Sequence, residues 1–262
     1  MKLCTFEVST HLGRYSRVGI CRDSRIIDVN FANAWHLAQQ GESEPHKLAD
    51  ALTPSSMMDF LRAGLRAMHA AEELFLDTGP QPAQWWNLPS PPRGPNDETL
   101  SYRPDEVRMR APVPNPARLG SSEDVQCGEH PECEIKLAAV IGKQGRNVPA
   151  IDSRQYIAGF TVMIDFGASC AAVGPCLVTV DEIVSPYELN ITARINGKPH
   201  SRAHTGDLRP KFEQTIELLS TYDVILPGDM ISFLIDLSPP IKRGDVIELD
   251  AEKIGTLRTK LV

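Results

Sequence analysis

Glu132, Glu134 and Lys136 occupy every second position at the start of the run Glu132 to Lys143, and Asp165 closes the apolar run Ile157 to Asp165. Side chains alternate along an extended strand, so these three share one face while Cys133, Ile135 and Leu137 point to the other. One face is ionic and the other is core. Ionisable groups beside wholly apolar segments are costly to bury unless they bind something or pair with one another. Carboxylates gathered from two neighbouring strands are what a hard divalent cation such as Mg2+ requires, and Glu132, Glu134 and Asp165 are the candidate ligands. Lys136 stands where that arrangement favours another acid.

Other reactive residues carry weaker signals. His130 is the histidine nearest the acids and a candidate general base, weighed against an exposed loop residue. Cys127, His130 and Cys133 with Cys170 and Cys176 offer zinc-type donors, but Cys133 falls on the core face and Cys176 in an apolar run, which favours buried thiols. His200 and His204 are placed in a loop by the neighbouring Pro199 and Gly206, which argues against a metal pair. Trp85 and Trp86 sit in a stretch rich in Pro and Gly; packing that stretch down is favoured over stacking on a ligand.

Several runs taken in order carry a resemblance: E-C-E-I-K-L-A-A-V-I-G-K at 132–143, Y-I-A-G-F-T-V-M-I-D at 156–165, G-P-C-L-V-T-V-D-E-I at 174–183, L-P-G-D at 226–229 and R-G-D-V-I-E-L-D-A-E-K-I-G-T-L-R at 243–258. Together they resemble the fumarylacetoacetate hydrolase family over residues 107 to 262. The resemblance implies a mixed β-sandwich roll, usually a homodimer, that holds Mg2+ or Mn2+ on acids and acts on 1,3-dicarbonyl compounds or 2-oxo acids. Both acids of the family's E-x-E and the aspartate of its N-D-W-S-A-R-D are metal ligands. Glu134 matches the first and Asp165 the last, and Lys136 takes the place of the second glutamate.

The chain departs from that pattern further. Ile164-Asp165-Phe166-Gly167-Ala168-Ser169-Cys170 lacks the family's asparagine, arginine and final aspartate, and only Ala171 to Val173 precede Gly174-Pro175, where the family carries a longer loop with a substrate lysine. The loop after Leu226 to Asp229 and the stretch Leu119 to His130 are shortened too. Either the ancestral chemistry was lost or segments are missing from the sequence, and the first is adopted. Lys136 is then expected to supply the cation's charge by pairing with Glu134 and Asp165, as a structural salt bridge or as a working lysine whose pKa burial lowers toward proton transfer or a Schiff base.

Two function classes stay open. One is an enzyme acting on a small oxo acid or β-dicarbonyl compound by C–C hydrolysis, decarboxylation, isomerisation or cyclisation, with or without metal. The other is a catalytically inactive homologue serving as a ligand-binding or dimer-partner scaffold.

The elements that must position these residues are legible from pattern. With 262 residues, 42% of them hydrophobic, the chain can bury a full core, and 21 prolines suit a fold of strands and turns. The fold class expected is α+β, mostly β: a small N-terminal α+β domain over 1–78, a Pro-rich linker over 79–106 and the sandwich roll over 107–262. The first part reads as strands at 3–8, 17–21 and 25–29, a helix over 31–40, and a second helix capped by Ser56, with Met58, Leu61, Leu65, Met68 and Phe75 as its buried stripe. In the large domain Gly120 to Glu129 reads as a polar, mobile remnant of a lid. Asn196-Gly197 marks a hairpin, Phe212, Ile216 and Leu219 the buried side of a short helix, and three strands close the chain. A net charge of −7 excludes a broad nucleic-acid footprint, no apolar run has the length of a membrane span, and no signal-type apolar segment opens the chain, which points to the cytoplasm.

Overall fold

The structure, a computed structural model, describes residues 1–262 apart from 12, 23–24, 78–100, 103–107, 111–117, 122, 127–130, 168–169 and 236–239, and without the side chains of 10, 75–77, 101–102, 108–109 and 118. It divides into two compact units, Met1–Met109 and Arg110–Val262. The fold is α+β and mostly β.

In the first unit β1 (Lys2–Thr10), β2 (Gly13–Arg22) and β3 (Arg25–Asp28) form an antiparallel meander, with Leu3 opposite Ile20 and Ile20 opposite Ile27. Leu3, Phe6, Ile20 and Ile26 are wholly buried. Asp28 then caps α1 (Val29–Gln39), its carboxylate accepting from the Phe31 N–H at 3.1 Å. α2 (Pro45–Leu52), α3 (Met57–Ala63) and α4 (Leu65–Asp77) follow, and β4 (Ser101–Tyr102) pairs with β3. α2 is not anticipated from the sequence, although Pro45 at its first helical position suits a helix start.

The stripe expected along the second helix is not the one observed. Ser56 does cap α3, but Gly64 at φ +65° ends it and α4 restarts out of phase. Met57, Phe60, Leu61, Ala67, Ala71 and Leu74 are buried, whereas Leu65 is 71% exposed. A single helical period cannot be carried across a residue that resets the axis. Phe75 and the tryptophan pair lie outside the described side chains.

After β5 (Arg108–Arg110), the second unit contains β6 (Arg118–Leu119), β7 (Asp124–Val125), β8 (Glu134–Ile141), β9 (Ile157–Asp165), β10 (Ala171–Thr179), β11 (Asn190–Ile195), β12 (Lys198–His204), α5 (Phe212–Tyr222), β13 (Met230–Ile235), β14 (Val246–Ala251) and β15 (Gly255–Leu261). One sheet runs β13-β8-β9-β10 with β6 parallel on β10, and another runs β12-β11-β14-β15-β7 with β7 parallel on β15. Both sheets are mixed. Phe212 of α5 meets Phe160 of β9 at 5.6 Å and Phe233 of β13 at 4.8 Å between ring centroids, pinning the helix to the first sheet.

Asn196 and Gly197, at φ 51° and 77°, make the hairpin turn between β11 and β12 that their dipeptide predicts. Two details differ from expectation. His200 and His204 lie on a strand rather than in a loop, both exposed, and His204 Nδ1 accepts from the Gly206 N–H. On α5 Ser220 is buried where Leu219 was expected, and Leu219 is exposed. The Ser220 hydroxyl oxygen accepts from the Val148 N–H at 2.9 Å, and a buried N–H without an acceptor is costly.

The stretch read as a mobile lid remnant is anchored wherever it is described. Glu123 is buried, pairs with Arg110 at 2.7 Å and accepts from the Gly120 N–H, while Val125 joins β15 through β7.

Candidate functional site

β8 and β9 pair with Glu134 opposite Asp165 and Lys136 opposite Met163. The alternation inferred from the sequence holds, because Cys133, Ile135 and Leu137 are buried while Glu134 and Lys136 face outward. Lys136 reaches back along its strand and lies between the two acids. Its Nζ is 2.6 Å from Asp165 Oδ2 and 2.8 Å from Glu134 Oε2. Lys136 and Asp165 are largely covered and Glu134 is 57% exposed. Glu132 precedes the strand and is exposed, and among the described residues the ion pairs of this cluster are those of the other three. His130 and Cys127 lie outside the described residues.

A short reverse turn completes the setting of Asp165. Its Oδ1 accepts from the Gly167 N–H at 3.0 Å, Phe166 N–H donates to the Cys170 carbonyl, and Ala171 already pairs with Asp165 at the start of β10. Gly167 adopts φ +76°, which a side chain would disfavour. Met163, Val173, Ala171 and Met230 form an apolar floor on the same face, and Leu234 stands half exposed across from Lys136 on β13. Sequence reasoning missed both the Gly167 donor and this floor. The strand period was the available signal, since Met163 precedes Asp165 by two positions and shares its face.

Electrostatics set what the cluster can do. Burial alone would lower the pKa of Lys136, but hydrogen bonds and charge from Asp165 and Glu134 outweigh it, and the net shift is upward. Lys136 is therefore held as an ammonium, which suits the salt-bridge alternative and not a lysine lowered toward a Schiff base or proton transfer. Burial, then the charge of Asp165, raises the Cys170 thiol, and burial alone pushes Cys133 up to about 11. Neither is a thiolate at neutral pH. Cys176 is buried and its thiol donates to the Ile254 carbonyl at 3.2 Å, so Cys133 and Cys176 behave as core residues rather than zinc ligands.

A divalent cation does not fit these residues as they stand. The position between Glu134 and Asp165 is taken by the Lys136 ammonium, and both oxygens of Asp165 already accept hydrogen bonds. Two like unit charges about 4 Å apart repel by roughly 4 kcal/mol at an effective dielectric near 20, and a divalent ion doubles that.

Residues 80–262 match the family model described as fumarylacetoacetate (FAA) hydrolase C-terminal. The chain belongs to the fumarylacetoacetate hydrolase family. A maleylpyruvate hydrolase of Aquipseudomonas alcaligenes is 37% identical over 141 residues, covering 47% of this chain and 48% of the relative. The mitochondrial oxaloacetate tautomerase Fahd2a of Rattus norvegicus is 30% identical over 158 residues, covering 49% and 50%. The chain thus spans about half the length of these curated relatives. In three dimensions it is similar to the crystal structure of a maleylpyruvate hydrolase from Sphingobium sp. SYK-6, with a TM-score of 0.72, 20% identity and coverage of 100% of this chain and 99% of that one. The same enzyme in complex with manganese (II) ion and pyruvate gives 0.71, 19% identity and the same coverage. At these identities the structural likeness establishes the fold. Among the described residues no helix is long and apolar enough to cross a membrane.

Proposed function

We propose that this chain binds a small oxo acid or β-dicarbonyl compound at the Lys136 cluster and turns it over without a metal ion, by decarboxylation or keto–enol isomerisation. The donor inventory of Lys136 carries this reading. An ammonium has three N–H groups, and Asp165 and Glu134 accept from it at 2.6 and 2.8 Å. The remaining donor serves a ligand oxygen, with the apolar floor of Met163 and Val173 for the ligand's carbon skeleton.

A carbonyl or carboxylate oxygen accepting from Lys136 makes a charge-assisted hydrogen bond, and that bond strengthens as negative charge grows on the oxygen of an enolate. Loss of CO2 from a β-oxo acid yields that enolate directly, and the keto–enol shift of a 2-oxo acid passes through it with the exposed Glu134 carboxylate or solvent taking the α-proton. C–C hydrolysis asks in addition for a group that activates water. The names of the relatives, a maleylpyruvate hydrolase and an oxaloacetate tautomerase, support the substrate class.

A second reading, a catalytically silent scaffold, is favoured by Asp165 being satisfied on both oxygens within the chain. Oxaloacetate separates the two. In the presence of EDTA, its decarboxylation and enol decay are followed by absorbance, and its binding by calorimetry, for the native chain and Lys136→Met. The enzyme reading expects turnover above the spontaneous rate that falls on the order of a hundredfold on substitution. Binding without turnover establishes the scaffold, and the absence of both overturns the ligand class.

A further inference from the structure

We propose that Lys136 is a tethered replacement for the divalent cation of its relatives and that the socket around it remains latent, so that one substitution reopens it to metal. This goes beyond the reading of ligand and reaction above and stands whether or not an oxo acid binds.

The argument begins with strand register. Glu134 and Asp165 are directly opposite each other on β8 and β9, and like charges in that position destabilise an antiparallel pair. The backbone therefore demands a cation between them. Lys136 answers from two residues along the same face, and its ammonium touches both acids. A lysine serving only as a surface partner would need one acid. Here one ammonium bridges two, as a metal would.

Formal charge agrees. The family resemblance implies three acids around a divalent ion, which leaves one net negative charge. Exchanging one of those glutamates together with its ion for a lysine leaves two acids and one ammonium, with the same net charge. The exchange is electrostatically neutral for the rest of the fold, which explains why the strand framework and both remaining acids persist in register. Asp165 stays oriented through the Gly167 N–H irrespective of what occupies the socket. Glu134 and Asp165 are thus already placed for an ion, and the ammonium is what excludes it.

The test uses the full chain and Mn2+ alone. Mn2+ is titrated into the native protein, Lys136→Glu, Lys136→Met and the double variant Lys136→Glu with Asp165→Asn, with binding read by calorimetry and by loss of the free-ion electron paramagnetic resonance signal. The expected result is negligible binding by the native chain, one equivalent bound by Lys136→Glu with an affinity gain on the order of a hundredfold or more, and loss of that gain in the double variant. Native binding as tight as that of Lys136→Glu overturns the proposal, as does a folded Lys136→Glu that ignores the ion. Should Lys136→Glu fail to fold, Lys136→Met decides. It keeps the side-chain stem but leaves the acids opposed, so its melting temperature falls and Mn2+ partly restores it. A melting temperature equal to native and indifferent to Mn2+ overturns the proposal.

Discussion

Two acid-containing clusters in this chain use their cations in different ways. In the first unit Arg17 grips Asp28 with two nitrogens, at 2.7 and 2.9 Å, and also donates to Asn30, which in turn donates to Asp50 and to the Thr53 carbonyl. Asp28 accepts the Phe31 N–H in the first turn of α1 as well, so its carboxylate is spent on holding a helix to a strand. In the second unit one ammonium is divided between two carboxylates, and Glu134 is mostly exposed. A planar guanidinium fork matches one carboxylate rigidly, whereas an ammonium is a point charge with donors that can be shared. The first cluster is closed and architectural. Among the described residues the second keeps an excess of negative charge and a donor in reserve, which is the basis of the chemistry proposed for it.

That contrast can be broken by substitution. The largest expected effect is Asp28→Ala, which removes a helix cap and both charge-assisted hydrogen bonds from Arg17, and should destabilise the chain by roughly 3 kcal/mol in urea unfolding. Asp165→Asn should cost about 1 kcal/mol, because Lys136 keeps Glu134 and the site is partly solvated. If Asp165→Asn proves the more damaging, the second cluster is the architectural one.

Ser220→Ala calibrates both against an ordinary buried polar contact. It strands the Val148 N–H and should cost about 1–3 kcal/mol without touching either cluster.

The smallest effect is in pH. Lys136 is raised above its usual 10.5, so its contribution to stability is complete below that value and is lost as pH rises through the higher folded-state value. Asp245, buried and lowered from 3.8 by its hydrogen bond from Asn196, contributes above that value and loses its contribution as pH falls through the lower folded-state one. In pH-dependent melting, Lys136→Met should flatten the alkaline limb, and an alkaline limb unchanged from native would detach Lys136 from the cluster.

The fold was legible where local pattern and tertiary demand coincide. The strict alternation from Glu132 to Leu137 placed the ionic and core faces, the Asn196-Gly197 dipeptide placed a hairpin, and Ser56 and its third neighbour placed a helix start. Legibility failed where a residue answers to distant backbone. Gly64 shifts helix phase, Ser220 is buried for the sake of Val148, and Glu123 looks like loop polarity but is held by Arg110. In the candidate site, the pairing of Lys136 with Glu134 and Asp165 followed from period and resemblance. The direction of the lysine's pKa did not, because burial and two close acids oppose each other and only the distances decide between them.

The central claim, that an ammonium takes the place of a metal ion between Glu134 and Asp165, is tested most directly by anomalous diffraction from crystals of the native chain grown with Mn2+. The account predicts the Lys136 side chain between the two carboxylates and no manganese peak there. A manganese peak bridging Glu134 and Asp165, with Lys136 turned away, would contradict it.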